Sequence, residues 1–262
     1  MTLSEIQSCL RAGIAGRATR VGAFLVVLDP DSAIPYRNYA VPDERTEPTA
    51  EHVAELIEHF AEHRRDPRLE YVGPNAPVDA VLAAGGFTVH RTLPVLALAG
   101  LVDPPLPAGI AITRVDTDAR LWAVAEVQNT AYGEAAAGEA DLRRLRGVVD
   151  RGGRVVLATD RATGSAVGAG LCTPLSYGHS ELAAIGVLPA FRRRGIAAAV
   201  TAELCRAAAE QGARPFLQAE DDSAQRIYER VGFTPVGGLI DARRAAGGSG
   251  GSGGGSGGTA GR

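Results

Sequence analysis

Three consecutive arginines, Arg192-Arg193-Arg194, run into Gly195-Ile196-Ala197 where an apolar strand ends and an apolar-periodic helix begins. Strand, Arg/Gly turn and helix start in that order describe a socket for a phosphorylated ligand. N–H groups over residues 192–197 can face a pyrophosphate, and the helix macrodipole adds roughly +0.5 of a charge at the same place. Glycine at 195 lets the backbone approach closely, and the small Ala197 leaves room at the first turn. Other chemistry-bearing patterns are weaker. His59-Phe60-Ala61-Glu62-His63 has the H-x-x-E-H spacing of a zinc site. Its histidines flank an apolar helical stripe and no third ligand follows downstream, so no metal is expected. Gly168-Ala169-Gly170 falls inside a strand rather than at a strand-to-helix turn, which leaves a dinucleotide fold unsupported. No Walker A sequence is present.

The elements that must position the socket alternate between strand and helix. Residues 110–115 read as a strand, 118–132 and 138–149 as helices, and 154–159 with 165–173 as a hairpin about Asp160–Gly164. A strand over 181–187 leads to the helix over 196–210, which Gly212 closes. A strand at 216–219, a helix at 223–231 and a strand at 233–236 complete this region. Earlier, residues 4–16 have weak helical periodicity, and 23–28 form a strand. Thr49 caps a helix to residue 65 with Val53, Leu56, Ile57 and Phe60 on one stripe. A strand at 69–72, a helix at 77–84 and a broken strand pair over 87–98 follow. The proline-rich segment 102–109 divides the chain into domains 1–101 and 110–241. Residues 242–262, rich in Gly and Ser, are expected to form a disordered tail.

Composition narrows the function classes. The chain has 262 residues, 45% of them hydrophobic, and a net charge of −3, so no basic field points to nucleic acid or anionic membrane. All 27 cationic side chains are arginine, which excludes a lysine nucleophile or Schiff base and suggests a GC-rich bacterial coding sequence. Cys9, Cys172 and Cys205 are widely spaced without a C-x-x-C, as in reduced thiols of a cytosolic protein. The N-terminus lacks the continuous apolar core of a signal peptide, and the longest apolar run, 23–28, is too short to span a membrane. A soluble, cytoplasmic protein is expected.

Two motifs carry a family resemblance. Val187-Leu188-Pro189-Ala190-Phe191-Arg192-Arg193-Arg194-Gly195-Ile196-Ala197 is similar to the phosphate motif of GNAT-type N-acetyltransferases. A helix and a strand further on, Asp221-Asp222-Ser223-Ala224-Gln225-Arg226-Ile227-Tyr228-Glu229-Arg230-Val231-Gly232-Phe233 resembles the family's second motif. The resemblance implies a mixed α/β GNAT fold and acetyl-CoA as co-substrate, with an amine acceptor attacking directly in a ternary complex. It implies that the main chain at Ile185 and Val187 holds the pantetheine and that an N–H there, that of Val187, polarises the thioester carbonyl. Arg192, Arg193, Arg194, Gly195, Ile196 and Ala197 would hold the diphosphate, with Asp221 and Ser223 also at the cofactor. Asp221 stands where the family often has Asn; either caps the helix, but a carboxylate changes what the pantetheine arm meets. Tyr228 matches the family tyrosine that protonates the leaving thiolate. For the general base, Glu181 is the first candidate, with its side chain on one strand face with Ala183, Ile185 and Val187. Glu220 and His179 are the alternatives. Tyr132 and residues 133–138 fall where the family's acceptor site lies.

The first region carries an echo of the second motif. Asn75-Ala76-Pro77-Val78 through Gly86-Phe87 repeats the spacing of Asp221 to Phe233, with Leu82 in the place of Tyr228 and no Arg-x-x-Gly-x-Ala before it. A tandem architecture with a degenerate GNAT-like N-terminal half is the expectation. The acceptor is a small-molecule amine, a protein N-terminus or a lysine, and the protein is a monomer or homodimer. The competing reading is a non-catalytic acyl-CoA-binding module.

Overall fold

The computed structural model describes residues 1–30 and 33–244; the expected Gly/Ser tail beyond residue 244 lies outside them. In chain order the first region holds α1 (Leu3–Ala15), β1 (Thr19–Val21), β2 (Phe24–Val27), β3 (Tyr39–Pro42), α2 (Ala50–Glu62), β4 (Arg68–Gly73), α3 (Ala76–Ala84) and β5 (Phe87–Leu98). The second holds β6 (Ile110–Val115), α4 (Asp118–Tyr132), α5 (Glu139–Asp150), β7 (Arg154–Asp160), β8 (Ala166–Cys172) and β9 (His179–Val187). It ends with α6 (Ile196–Ala209), β10 (Arg214–Gln218), α7 (Asp222–Val231) and β11 (Phe233–Arg244). The fold is mixed α/β.

The eleven strands of the described residues join one sheet in the order β1-β2-β3-β4-β11-β5-β10-β9-β8-β7-β6. The two regions exchange strands at its centre. β5 of the first region lies between β10 and β11, and β11 lies between β4 and β5. Residues 87–98, expected as a broken pair, are one continuous strand through Pro94. That proline is tolerated because β10 has ended where its missing N–H faces; there only Ala219 N–H meets the Pro94 carbonyl, at 3.0 Å. β11 likewise runs well past Val236 to Arg244, so residues 242–244 are strand. Two short strands, β1 and β3, were not expected from the sequence; at three and four residues they are too short to show a period.

Helices cover both faces. On the first face, α6 and α7 bury Val200, Leu204 and Val231 against Leu96, Val156, Leu182 and Leu217. There too, α2 and α3 bury Leu56, Phe60 and Leu82 against Leu69 and Tyr71. On the second face, α4 and α5 bury Leu121 and Leu145 against Val155, Leu157 and Leu171. Beside them α1 buries Ile6 and Cys9 against Val72, Val95 and Phe216. Because α1 touches β4 and β9, which stand four places apart in the sheet, the second face must curl around it.

The echo in the sequence has a structural counterpart. The starts of α2, β4, α3 and β5 precede those of α6, β10, α7 and β11 by one constant interval in the chain. Asn75 and Asp221 each cap their helix, accepting from Val78 N and Ala224 N. Gly86 and Gly232 each turn out of it with φ of 80° and 101°, and Phe87 and Phe233 are both buried.

Candidate active site

The two parallel strands β9 and β10 are paired from Arg214–His179 to Leu217–Leu182 and then part. A bulge in β9 turns the strand away. Opposite Gly170 of β8, β9 places two residues, Ala184 and Ile185, and Ala184 takes the left-handed conformation with φ 51°. Gly170 admits the bulge because a Cβ there would lie 3.0–3.1 Å from Val200, Leu204 and Ile185. The bulge also reverses the expected alternation. Glu181 and Ala183 project to the second face, while Ile185 and Val187 project to the first, beside α6. The single shared face read from strict alternation is therefore split by one inserted residue.

The edge of the resulting gap is polar backbone. Leu188 N–H donates to Val167 O at 2.9 Å, so the preceding Val187 N–H and C=O point the opposite way, into the gap. The Ile185 carbonyl accepts from the Tyr132 hydroxyl at 3.1 Å, and the Ala184 carbonyl accepts from Gln128 Nε2 at 3.0 Å. Neither α4 residue was singled out as a strand contact from sequence. The signal for the bulge itself was absent, since an alanine rather than a glycine occupies the left-handed position.

At the Arg/Gly turn, Arg193 and Gly195 have φ of 62° and 81°, and Gly195 is the N-cap of α6. The first N–H groups of a helix have no intrahelical partner, so those of Ile196, Ala197 and Ala198 open onto the turn. The Ile196 side chain is itself buried against Gly168, leaving only its N–H for a ligand. Arg192 folds back, donating from Nε to Val187 O at 3.2 Å and from Nη2 to Ala131 O at 3.1 Å. It ties the turn to the gap. Arg194 lies over the Phe191 ring, and Arg193 and Arg194 are both exposed. Asp221 caps α7 through Ala224 N–H at 2.8 Å, and Ser223 is exposed on its first turn.

Tyr228 lies on the first face, packed edge-on against Phe233 with ring centroids 6.3 Å apart. Burial pushes its phenol well above the ordinary range, and the neighbouring Tyr132 and Asp221 add to the effect. The hydroxyl therefore stays protonated at working pH.

Glu181 lies on the second face, half-buried, and accepts from Gln218 Nε2 at 2.9 Å. Burial, and then the charge of Glu70 across the curled sheet, raise its carboxyl to about 7 against the pull of the Gln218 hydrogen bond. Glu70 and Tyr39 of the first region lie near enough to Glu181 to interact with its charge. A strap from that region reaches the α4–α5 loop: Tyr36 donates to Glu134, and Arg37 pairs with Asp141 at 3.0 Å and Glu134 at 3.3 Å. Asp141 in turn holds the loop through Gly138 N–H and Asn129. Glu70 and Tyr39 were not identified from sequence, although the alternation Arg68-Leu69-Glu70-Tyr71 marks a strand with one polar face.

The alternative bases are placed otherwise. His179 is fully buried beneath α1, with Nδ1 2.6 Å from the Tyr177 carbonyl, and does not reach the cleft mouth. Glu220 is exposed and paired with Arg91. His59, Glu62 and His63 bring ligand atoms within 4.8 Å of one another, so the three matched residues do meet. They sit at the end of α2, on the first region's own elements. Among the described residues, no helix is long and apolar enough to cross a membrane.

Comparison with known proteins places this geometry. Residues 121–233 match the model of the acetyltransferase (GNAT) family. A GCN5-related N-acetyltransferase from Kribbella flavida is 25% identical, with a TM-score of 0.76 over 94% of this chain and 97% of that one. A GCN5-related N-acetyltransferase from Sphaerobacter thermophilus, 17% identical, aligns over 92% of this chain and 90% of its own with a TM-score of 0.66. A tandem GNAT protein from the clavulanic acid biosynthesis pathway, 18% identical, covers 87% of this chain and 80% of its own at 0.64. The last two speak to the fold alone. No curated protein matches the chain in sequence.

Proposed function

The chain carries a GNAT acetyltransferase domain at residues 121–233, and from that premise we propose that it transfers an acetyl group from acetyl-CoA to a primary amine by direct attack in a ternary complex. One observation carries the reading. The gap between β9 and β10 joins the two faces of the sheet, with Tyr228 on one face and Glu181 on the other. The diphosphate sits at the N–H groups of residues 193–198, and the pantetheine enters along Ile185 and Val187. Tyr132 and Arg192 yield the carbonyls they now occupy.

The acceptor amine approaches Glu181 from the second face. A carboxyl held at about 7 takes the ammonium proton, directly or through water, while remaining half-ionised near neutrality. The free amine attacks the thioester carbonyl, whose oxyanion is stabilised by Val187 N–H; one such donor contributes roughly 3 kcal/mol. The tetrahedral intermediate expels the thiolate, which Tyr228 protonates, and the surplus proton left on the nitrogen returns through water to the tyrosinate as the amide forms. The first region is a degenerate GNAT-like half. Its α2 opens on Thr46-Glu47-Pro48-Thr49, and Thr49 caps the helix through His52 N–H at 3.3 Å, so an internal cap stands where α6 keeps a socket.

The competing reading, a non-catalytic acyl-CoA-binding module, lacks a reason for Glu181 and Tyr228 to flank one gap. A thiol-release assay over a panel of amines tests between them. Release that depends on an amine supports transfer; CoA binding without release on any amine supports the module.

A further inference from the structure

Arg144 of α5 is a half-buried guanidinium with no ion pair among the described residues. Its Nη2 donates to Gln128 Oε1 at 3.2 Å, while its buried Nε has no hydrogen-bond partner. A buried donor left unpaired in a native fold asks for an explanation, since its lost hydration is not replaced. Gln128 is the residue that also holds the Ala184 carbonyl at the bulge. One side chain therefore links Arg144 to the strand where the thioester is to lie. The charged and titratable groups around Arg144 are Arg37, Asp141, Glu134 and Tyr36. Both carboxylates are bonded to Arg37, and Tyr36 to Glu134, which leaves none bonded to Arg144.

We propose that Arg144 binds a carboxylate of the acceptor, so that the acceptor is an amine that also carries a carboxylate, such as an amino acid. This rests on the N-acetyltransferase reading above. The planar end of the guanidinium, whose Nη1 carries no hydrogen bond among the described residues, offers its two Nη groups to the two oxygens of one carboxylate. A doubly charged phosphate fits less well, because Glu134 and Asp141 stand nearby and would repel the second charge. Arg144 receives the carboxylate end, and Gln128 connects it to the Ala184 carbonyl on the strand that also carries Glu181.

The test compares amino acids with their carboxamides at matched concentrations of neutral amine, using the full chain saturated with CoA or acetyl-CoA. Binding is followed by calorimetry and transfer by thiol release. Wild-type protein should favour the acids about tenfold or more. Arg144→Gln should remove that preference without changing CoA affinity, and Arg144→Lys should restore part of it. Equal treatment of acid and amide by the wild type, no binding of any acid, or an undiminished preference in Arg144→Gln would overturn the assignment. Failure of the wider reading looks different: CoA would bind, yet no amine with or without a carboxylate would release thiol.

Discussion

Glu181 and Gln218 are joined by a 2.9 Å hydrogen bond at the point where β9 and β10 cease to pair. The bond fixes the carboxylate at the lip of the gap, and burial there raises it to about 7. If Glu181 is the base as proposed, its ionised form is the active one, and kcat/KM for the acceptor should rise with pH and level off above about 7. Glu181→Gln should lower turnover about 100-fold and remove that acidic limb. An unchanged limb in the variant would take the base role away from Glu181.

Tyr228→Phe should preserve packing against Phe233 and CoA affinity while lowering kcat roughly 100-fold. Steady-state kinetics with calorimetry of CoA binding separates the two effects. Wild-type turnover would remove the tyrosine from the proton-transfer step.

At the phosphate turn, Gly195→Ala and Gly195→Asp part strain from charge. A Cβ at Gly195 meets only Pro107, at 3.7 Å, so alanine suffers chiefly from φ 81°, at about 1–2 kcal/mol. Aspartate adds a negative charge at the proposed diphosphate site. CoA affinity should fall modestly in the first variant and be abolished in the second. Equal affinities would contradict the socket.

Arg37→Ala should unfasten the strap from the α4–α5 loop. The loss of charge-assisted bonds to Glu134 and Asp141 should lower stability by about 1–3 kcal/mol, seen as a lower Tm. It should also raise the acceptor KM more than the acetyl-CoA KM. A variant with both constants unchanged would make the strap irrelevant to the site.

Residues 108–244 produced alone would leave β10 and β11 without β5, the strand that lies between them. Soluble expression and a cooperative thermal transition should both be lost in this fragment and present in the whole chain. A well-folded fragment would show that the exchanged strand is dispensable.

Local patterns made much of this readable from the chain. The Arg/Gly turn, the capping Asp221 and the glycine after α7 each act over a few residues, and each is found in its expected element. The exchange of β5 and β11 was not readable, because it pairs residues such as Phe87 and Arg244 that are far apart in sequence. Pro94 further disguised β5 as two strands. The bulge at Ala184 gives no residue-type signal, yet it decides which face Glu181 occupies. Arg144 was hidden for another reason: an arginine on an amphipathic helix reads as solvated until its buried Nε is seen.

Acyl transfer itself is tested most directly by following free thiol release from acetyl-CoA across an amine panel, with the intact chain and its Glu181→Gln variant over a range of pH. Amine-dependent release is expected, with an acidic limb near 7 in the wild type that the variant lacks. Tight CoA binding with no amine-dependent release at any pH would contradict the account and leave an acyl-CoA-binding module.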